Sequence, residues 1–289
     1  MSEGARPGAV VMAHADPVHL QRLLRALAPW PVALHVDVKT APEVHAAMTD
    51  RLPVGVHQLE RLRTGWARWE NVEAELNGYR AVLADPAVTH VVVMTGSDYP
   101  LASTGAIEAF LAEHPRTSFA DNWLLPAERW GGRSGGIARL RYPHWAVRKR
   151  MIRVPVPRRL PPKVTLAAGS QMKVLARHHA EAVLAFHDSR PRVVRFWRRS
   201  WCADESFVPT ALETAVPRWA EEHLRDVLWF IDWGAGGKSP RWLTAADLPL
   251  LRGLRFPEPG VTPKLFARKF SSDVDPVAAD VVDAELRSQ

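Results

Sequence analysis

Two apolar runs decide the fold class: Ala9-Val10-Val11-Met12-Ala13-His14, and Val32-Ala33-Leu34-His35-Val36-Asp37, with Asp16-Pro17 between them. Short, unbroken apolar runs of this kind read as strands buried on both faces. Asp16 is placed to cap a helix that carries Pro17 at its first position and runs through Leu27. Strand, helix and strand at this spacing open a parallel α/β sheet. Ligands of such sheets bind beyond the carboxyl ends of the strands, where His14, His35, Asp37 and Lys39 lie.

The pattern continues downstream. Val54 to Gln58 reads as a third strand, and Gly65-Trp66-Ala67-Arg68-Trp69 leads into a helix to about Ala84, with Val72, Leu76, Tyr79, Val82 and Leu83 at helical spacing. The tryptophan pair reads either as core or as a base-stacking platform. His90 to Thr95, the most apolar segment, predicts the central strand. It empties into Gly96-Ser97-Asp98-Tyr99-Pro100-Leu101, which has the form of a strand-end active-site loop and equally of an Asx turn. Ser103 caps a helix through Leu111, and Ser118 to Asp121 is a further strand. Gly169-Ser170-Gln171 leads into a strand over Met172 to Leu175 and a helix from His178 through Phe186. A helix over Ser206 to Ala215, a strand over Val227 to Ile231, a Thr244/Asp247 capping box with its helix to Leu251, and a terminal helix ending near Arg287 complete the chain. Trp233 to Lys238 is a glycine-rich loop able to wrap a ligand, without the spacing of a P-loop.

With 289 residues and 47% hydrophobic composition, the chain supports one large α/β domain. It has no apolar run long enough to cross a bilayer and no signal-peptide pattern at Met1 to Ala13, so a soluble cytoplasmic protein is expected. The single cysteine, Cys202, excludes an internal disulfide and a thiolate metal cluster, and reads as a buried, inert thiol. The net charge of +7 is concentrated in Arg139 to Lys163, which contains no acid, and in Arg190 to Arg199. Such stretches favour a nucleotide-sugar diphosphate, a nucleic acid or an anionic membrane surface, or are simply solvated loops.

Ser200 to Thr210 carries the chemistry. Asp204 and Glu205 stand between Trp201 and Phe207, and adjacent side chains diverge, so one acts while the other holds the segment. A carboxylate walled by aromatic groups is pushed toward neutrality and becomes a usable general base. The plainer alternative is a helix cap and a first-turn charge satisfied by the helix dipole. Near the end of the chain, Leu265-Phe266-Ala267-Arg268-Lys269-Phe270 presents two cations between apolar anchors.

Seven segments, taken in order, resemble the core-2/I-branching glycosyltransferase family, which includes β-1,6-N-acetylglucosaminyltransferases and peptide O-xylosyltransferases. They are His35-Val36-Asp37-x-Lys39, Trp66 to Asn77, Gly96 to Leu101, Gly169-Ser170-Gln171, Asp204-Glu205-Ser206-Phe207, Phe230-Ile231-Asp232-Trp233 and Leu265 to Phe270. The resemblance implies a GT-A-like, Rossmann-type single domain over 1–289 with a mostly parallel central sheet flanked by helices. Its halves would be a nucleotide-binding one (1–121) and an acceptor-binding, catalytic one (122–289). It implies an inverting transfer from a UDP-sugar, of N-acetylglucosamine or xylose, to a glycan, peptide or small-metabolite hydroxyl. By position, Glu205 matches the catalytic base and Asp37 a residue near the uridine, joined by His14 as a nucleotide-binding candidate. Lys269 matches one member of a basic pair that replaces a metal on the diphosphate; Arg241 is the candidate for the other, with Arg268 beside it. Arg129 matches an acceptor-contacting arginine, and Ser97, Asp98, Trp233 and Asp204 complete the expected sugar and acceptor contacts.

No metal or other cofactor is expected. The only Asp-x-Asp, Asp273 and Asp275, reads as a cap for the terminal helix. Relatives of the secretory pathway carry an anchor and disulfides, so a bacterial-type soluble member is expected, and Ser239-Pro240 stands where relatives often have a histidine before the proline. No nucleic-acid partner is expected, and peripheral membrane contact through the basic stretch is compatible with the transferase reading. The alternatives from other classes are a nucleic-acid- or anionic-surface-binding protein using Arg139 to Lys163, and an inactive glycan-binding relative.

Overall fold

The computed structural model describes residues 4–131, 133–147, 150–234 and 239–289. Gly132, Arg148, Lys149 and residues 235–238 of the glycine-rich loop lie outside them. The first half of the chain folds as β1 (Pro7–Ala13), α1 (Pro17–Ala26), β2 (Val32–Val36), α2 (Pro42–Thr49), β3 (Val56–Gln58), α3 (Trp69–Leu83), β4 (His90–Thr95), β5 (Asp98–Pro100), α4 (Thr104–Ala112) and β6 (Ser118–Leu124). A short 3-10 turn (Glu128–Trp130), α5 (Ile137–Arg141), and the hairpin β7 (His144–Val147) and β8 (Arg150–Arg153) occupy the basic stretch. Then come β9 (Ala167–Ala176), α6 (Arg177–Ser189), α7 (Pro191–Trp197), α8 (Ala203–Ala215), α9 (Trp219–Glu222), β10 (His223–Leu224), β11 (Trp229–Ile231), α10 (Leu248–Arg255), β12 (Phe266–Arg268) and α11 (Ala278–Val282).

The main sheet has seven strands in the order β10-β6-β9-β4-β1-β2-β3. All of its pairings are parallel except those of β9, which runs antiparallel to both β4 and β6. Its strands come from both halves of the chain, and β4 is its middle member. Both faces are covered, which is why β1, β2 and β4 are nearly continuous apolar runs. Ala9, Val11, Leu34, Val92 and Met94 face one core together with α1 and the C-terminal segment, while Val10, Ala33, Val91 and Val93 face the other with α3, α6 and α8. A second sheet, β11-β12-β5, begins where β4 ends and brings Asp98 level with Arg268.

Several local signals act as read: Asp16 accepts from the His19 amide at 3.0 Å, Ser103 from Ala106 at 3.2 Å, and Thr244 with Asp247 forms the capping box. Asp275 caps the approach to α11 by accepting from Val277 and Ala278. Other boundaries differ. Gly169-Ser170-Gln171 lies inside β9 and does not precede it, because β6 bulges between Ala120 and Asn122 there and a Cβ on Gly169 would stand 1.6 Å from the Asp121 carbonyl oxygen. Helix α8 starts at Ala203, so Asp204 and Glu205 belong to its first turn. Short α2, α7 and α9 and the β7–β8 hairpin had no periodicity long enough to announce them.

Gly78 sets how closely α3 lies on β1: a Cβ there would stand 2.3 Å from Val10 Cγ1. Gly78→Ala is expected to lower stability by about 1–3 kcal/mol, overpacking outweighing the better helix propensity of alanine. Urea unfolding measures it, and an unchanged or raised midpoint would contradict this packing.

Candidate active site

Cys202, at φ 55°, turns the chain into α8 and leaves Asp204 and Glu205 among the free amides of its first turn. The two carboxylates point apart. Asp204 is buried and accepts from Asn71 Nδ2 at 2.8 Å through one oxygen, while the other has no hydrogen-bond partner among the described residues. Glu205, about a third exposed, lines a crevice of only about 10 Å³ with Trp130, Ala168 and Trp201, and one oxygen, Oε2, is 3.0 Å from Arg139 Nη1. The Arg139 guanidinium is itself stacked between the two indoles, 5.1 Å from Trp130 and 5.2 Å from Trp201. Burial pushes the Glu205 carboxyl up to about 7; Asp204 adds to the rise and Arg139 opposes it. Burial likewise pushes Asp204 up to about 6, against the Asn71 hydrogen bond.

Asn71 joins this centre to the end of β2. Its amide also donates to the Gly65 carbonyl at 2.9 Å, and Lys39 Nζ would lie 3.4 Å from a Cβ on Gly65. Lys39 pairs with buried Asp37 at 3.3 Å, and Asp37 further accepts from Thr64 Oγ1 at 2.7 Å and from the Lys39 amide at 2.8 Å. Burial alone would raise the Asp37 carboxyl, but these donors together hold it below the usual range. His35 Nε2 accepts from the Leu62 amide at 2.9 Å, which fixes the same loop. Trp66, 72% exposed, meets Trp201 edge-on at 5.8 Å, so the loop after β3 reaches the wall of the Glu205 crevice.

The cations gather beside the middle of β9. Arg268 donates to Met172 Sδ at 2.9 Å and lies 3.4 Å from Asp98. Ala168 lines the Glu205 crevice and Met172, four residues further along β9, touches Arg268, so one strand connects the carboxylate's crevice with the cations. Lys269 and Arg241 sit on neighbouring segments, with the Leu243 amide donating to the Lys269 carbonyl at 2.7 Å. Lys269 bonds the Ser239 hydroxyl and lies 5.1 Å from the Trp242 ring; burial and neighbouring Arg268 push its ammonium below the usual range. Arg241 is gripped by Asp232 at 2.7 Å and Asp247 at 2.6 Å.

The structure thus brings Asp37, Asp204 and Glu205 into one connected cluster, and Arg241, Arg268 and Lys269 into another. Asp98 lies elsewhere than expected. It is fully buried, accepting from the Thr95 amide at 2.9 Å, Thr95 Oγ1 at 2.8 Å and Trp229 Nε1 at 3.2 Å, so it offers no surface to a sugar and instead holds Arg268. Ser97 is partly exposed and its carbonyl accepts from Phe270, the residue after Lys269. Trp233 is exposed, and so is His14, whose carbonyl accepts from Thr40. Arg129 pairs with Asp121 at 3.0 Å over Trp123, one residue from the crevice tryptophan. Phe207 is not a wall of the Glu205 site: it is buried in the core against Trp69 at 5.0 Å.

Two arginines of the basic stretch are engaged within the protein. Arg139 turns to Glu205, and Arg158 is spent on the Leu140 and Phe196 carbonyls and Ser200. In the sequence Arg139 is one of a run of arginines, and nothing there singles out Trp130 or Asn71. A groove of about 730 Å³ between α3, α6 and α7, lined by Arg80, Arg195 and Arg198, contains none of the expected site residues.

The polar clusters lie beyond the carboxyl ends of β1, β2 and β4 in a mixed α/β sheet, the position at which open α/β sheets bind their ligands. The chain belongs to the Core-2/I-Branching enzyme family, whose model matches residues 19–250, well over half of its length. Membership implies glycosyltransferase activity. No curated protein matches the sequence. Among solved structures, it is similar to a Bacillus anthracis protein assigned as a glucose-1-phosphate thymidylyltransferase, in complex with sucrose, at 10% identity and TM-score 0.28, over 61% of this chain and 74% of that one. It is also similar to HddC from Yersinia pseudotuberculosis, at 10% identity and TM-score 0.30, over 60% and 79% of the two chains. Likeness this distant carries no functional argument. Among the described residues, no helix is long and apolar enough to cross a membrane.

The elevated carboxyls at Asp204 and Glu205 bind protons more tightly in the folded chain than in the unfolded one, so stability falls as pH rises from the ordinary carboxyl range toward 7. Glu205→Gln removes one of the two ionisations and is expected to be more stable than the native chain at pH 8, with little difference at pH 5. Urea unfolding at both pH values tests this, and a variant destabilised equally at both would contradict it.

Proposed function

We propose that the protein is an inverting, metal-independent glycosyltransferase that moves N-acetylglucosamine or xylose from a UDP-sugar to an acceptor hydroxyl, with Glu205 as general base. The observation that carries this reading is the Glu205 carboxyl held at about 7 beside Trp130 and Trp201 and paired with Arg139, with a group of fixed cations further along β9. A base with this pKa is half ionised near neutrality, where proton transfer is most effective. Arg139 donates to Oε2 and the Cys202 thiol also bonds the carboxylate, whose remaining lone pairs are assigned to the acceptor hydroxyl.

In a single displacement, Glu205 takes the acceptor proton as the hydroxyl oxygen bonds to the anomeric carbon. The bond from that carbon to the diphosphate breaks, and UDP leaves with the electron pair. Lys269 then faces the developing charge. Arg241 and Arg268 are already partnered by carboxylates, so their part is to fix and supplement Lys269. One cation about 4 Å from a phosphate oxygen contributes roughly 4 kcal/mol at an effective dielectric of 20. Asp37 and His14 are assigned to the uridine, and Ser97, Arg129 and Trp233 to the sugar and acceptor side. Exposed Trp66 against Trp201 adds an aromatic face for an acceptor ring.

Glu205→Gln is expected to lose about 10² to 10⁴ in turnover with UDP binding kept; full activity would remove Glu205 from the mechanism. Turnover assayed well below the unfolding temperature is expected to survive EDTA. Loss of turnover restored by manganese would overturn the assignment of the diphosphate to Lys269, Arg241 and Arg268.

A further inference from the structure

Away from both clusters, His178, His179 and Glu222 bring three donor atoms within 4.8 Å of one another. The histidines open α6 and the glutamate closes α9. Glu222 Oε2 lies 3.0 Å from His178 Nε2 and 3.3 Å from His179 Nε2. Ligands bound at 2.0–2.1 Å to a tetrahedral zinc ion stand about 3.3 Å apart, so these separations match two edges of such a site.

The surroundings favour a ligand more than a simple hydrogen-bonded histidine pair. His179 is 0% exposed; its Nδ1 is 2.7 Å from Ser118 Oγ, and its Nε2 has no hydrogen-bond partner among the described residues. The Ser118 hydroxyl is itself fixed by the Ala176 amide at 2.9 Å. An imidazole anchored through one nitrogen, with the other aimed at a carboxylate, has the outer support that metal-ligating histidines require. Arg116 takes the other glutamate oxygen, Oε1, at 2.9 Å, which orients Oε2 toward the two rings. His178 is half-buried, leaving solvent access to a fourth position for water.

We propose that His178, His179 and Glu222 form a divalent-metal site suited to zinc, whose role is to clamp the edge of the main sheet. Two imidazoles and one carboxylate are a donor set zinc accepts. The site ties together the β9–α6 junction, the start of β6 and the segment feeding β10, an edge strand of only two residues. Ser118 precedes Leu125, a wall of the Glu205 crevice, by seven residues of extended chain, which puts the metal site roughly 20 Å from the proposed chemistry. Metal uptake and stability at this site are independent of which sugar donor the protein uses. Arg116 and Arg218 beside the carboxylate weaken cation binding, so the metal is held reversibly.

The test uses tag-free protein stripped with EDTA, dialysed, and titrated with zinc in a calorimeter, with thermal unfolding followed in parallel. One zinc per chain and a rise in Tm that EDTA reverses are expected, along with the visible absorption of tetrahedral cobalt when cobalt is substituted. His178→Ala, at a half-buried position, and Glu222→Gln should each bind zinc at least about tenfold more weakly and lose the Tm rise. Should Glu222→Gln fail to fold, His178→Ala and the cobalt spectrum decide. No stoichiometric uptake, or uptake unchanged in His178→Ala, would overturn the proposal and leave adventitious binding by other histidines.

Discussion

The Arg139 guanidinium, clasped between the Trp130 and Trp201 rings and paired with Glu205, is the interaction on which the functional reading depends. An unpaired carboxylate in that crevice would stay protonated at neutral pH and could take no proton, whereas a fully solvated one would be too weak a base. Aromatic walls raise the pKa and a single cation limits the rise, which leaves the group near neutrality. Asp204 adds repulsion from behind, and Asn71 fixes it there. The arrangement costs stability at the pH where the group must be ionised, a common relation between active sites and the folds that carry them.

Everything else in the architecture sets distances from that pair. Strand β9, antiparallel between β4 and β6, carries Ala168 near its start and Met172 at its middle, and so spaces the Glu205 crevice from the cations. Asp98, at the start of β5, joins Thr95, Trp229 and Arg268 into one buried unit and thereby aligns the second sheet with the end of β4. On the opposite flank, Asn71 and Gly65 connect the end of β2 with the first turn of α8. Behind them Lys173 and Glu75 form a buried pair at 2.9 Å, also bonded by Tyr79, which locks α3 to β9. Removing one partner of such a pair leaves a stranded charge, so α3 has little freedom to shift.

Much of this was legible in the sequence because burial on both faces writes itself as continuous apolar runs: β1, β2 and β4 fall where those runs lie. Caps at Asp16, Ser103 and Thr244 were readable because their chemistry is local. Pairings between distant segments were not. Nothing adjacent to Arg139 distinguishes it from Arg141 or Arg153 until Trp201 and Glu205 fold beside it, and Asp98 looks like a loop aspartate until Trp229 and Arg268 close over it. The antiparallel run of β9 was hidden for the same reason, since a strand's direction depends on its neighbours and leaves no mark in composition.

The most direct measurement is the pH dependence of kcat/KM for the native chain and for Arg139→Leu. An acidic limb is expected with its midpoint near 7 in the native protein, moving to higher pH once the guanidinium is gone. A limb at the ordinary carboxyl range in the native protein, or a midpoint indifferent to the loss of Arg139, would contradict the assignment of Glu205 as the base.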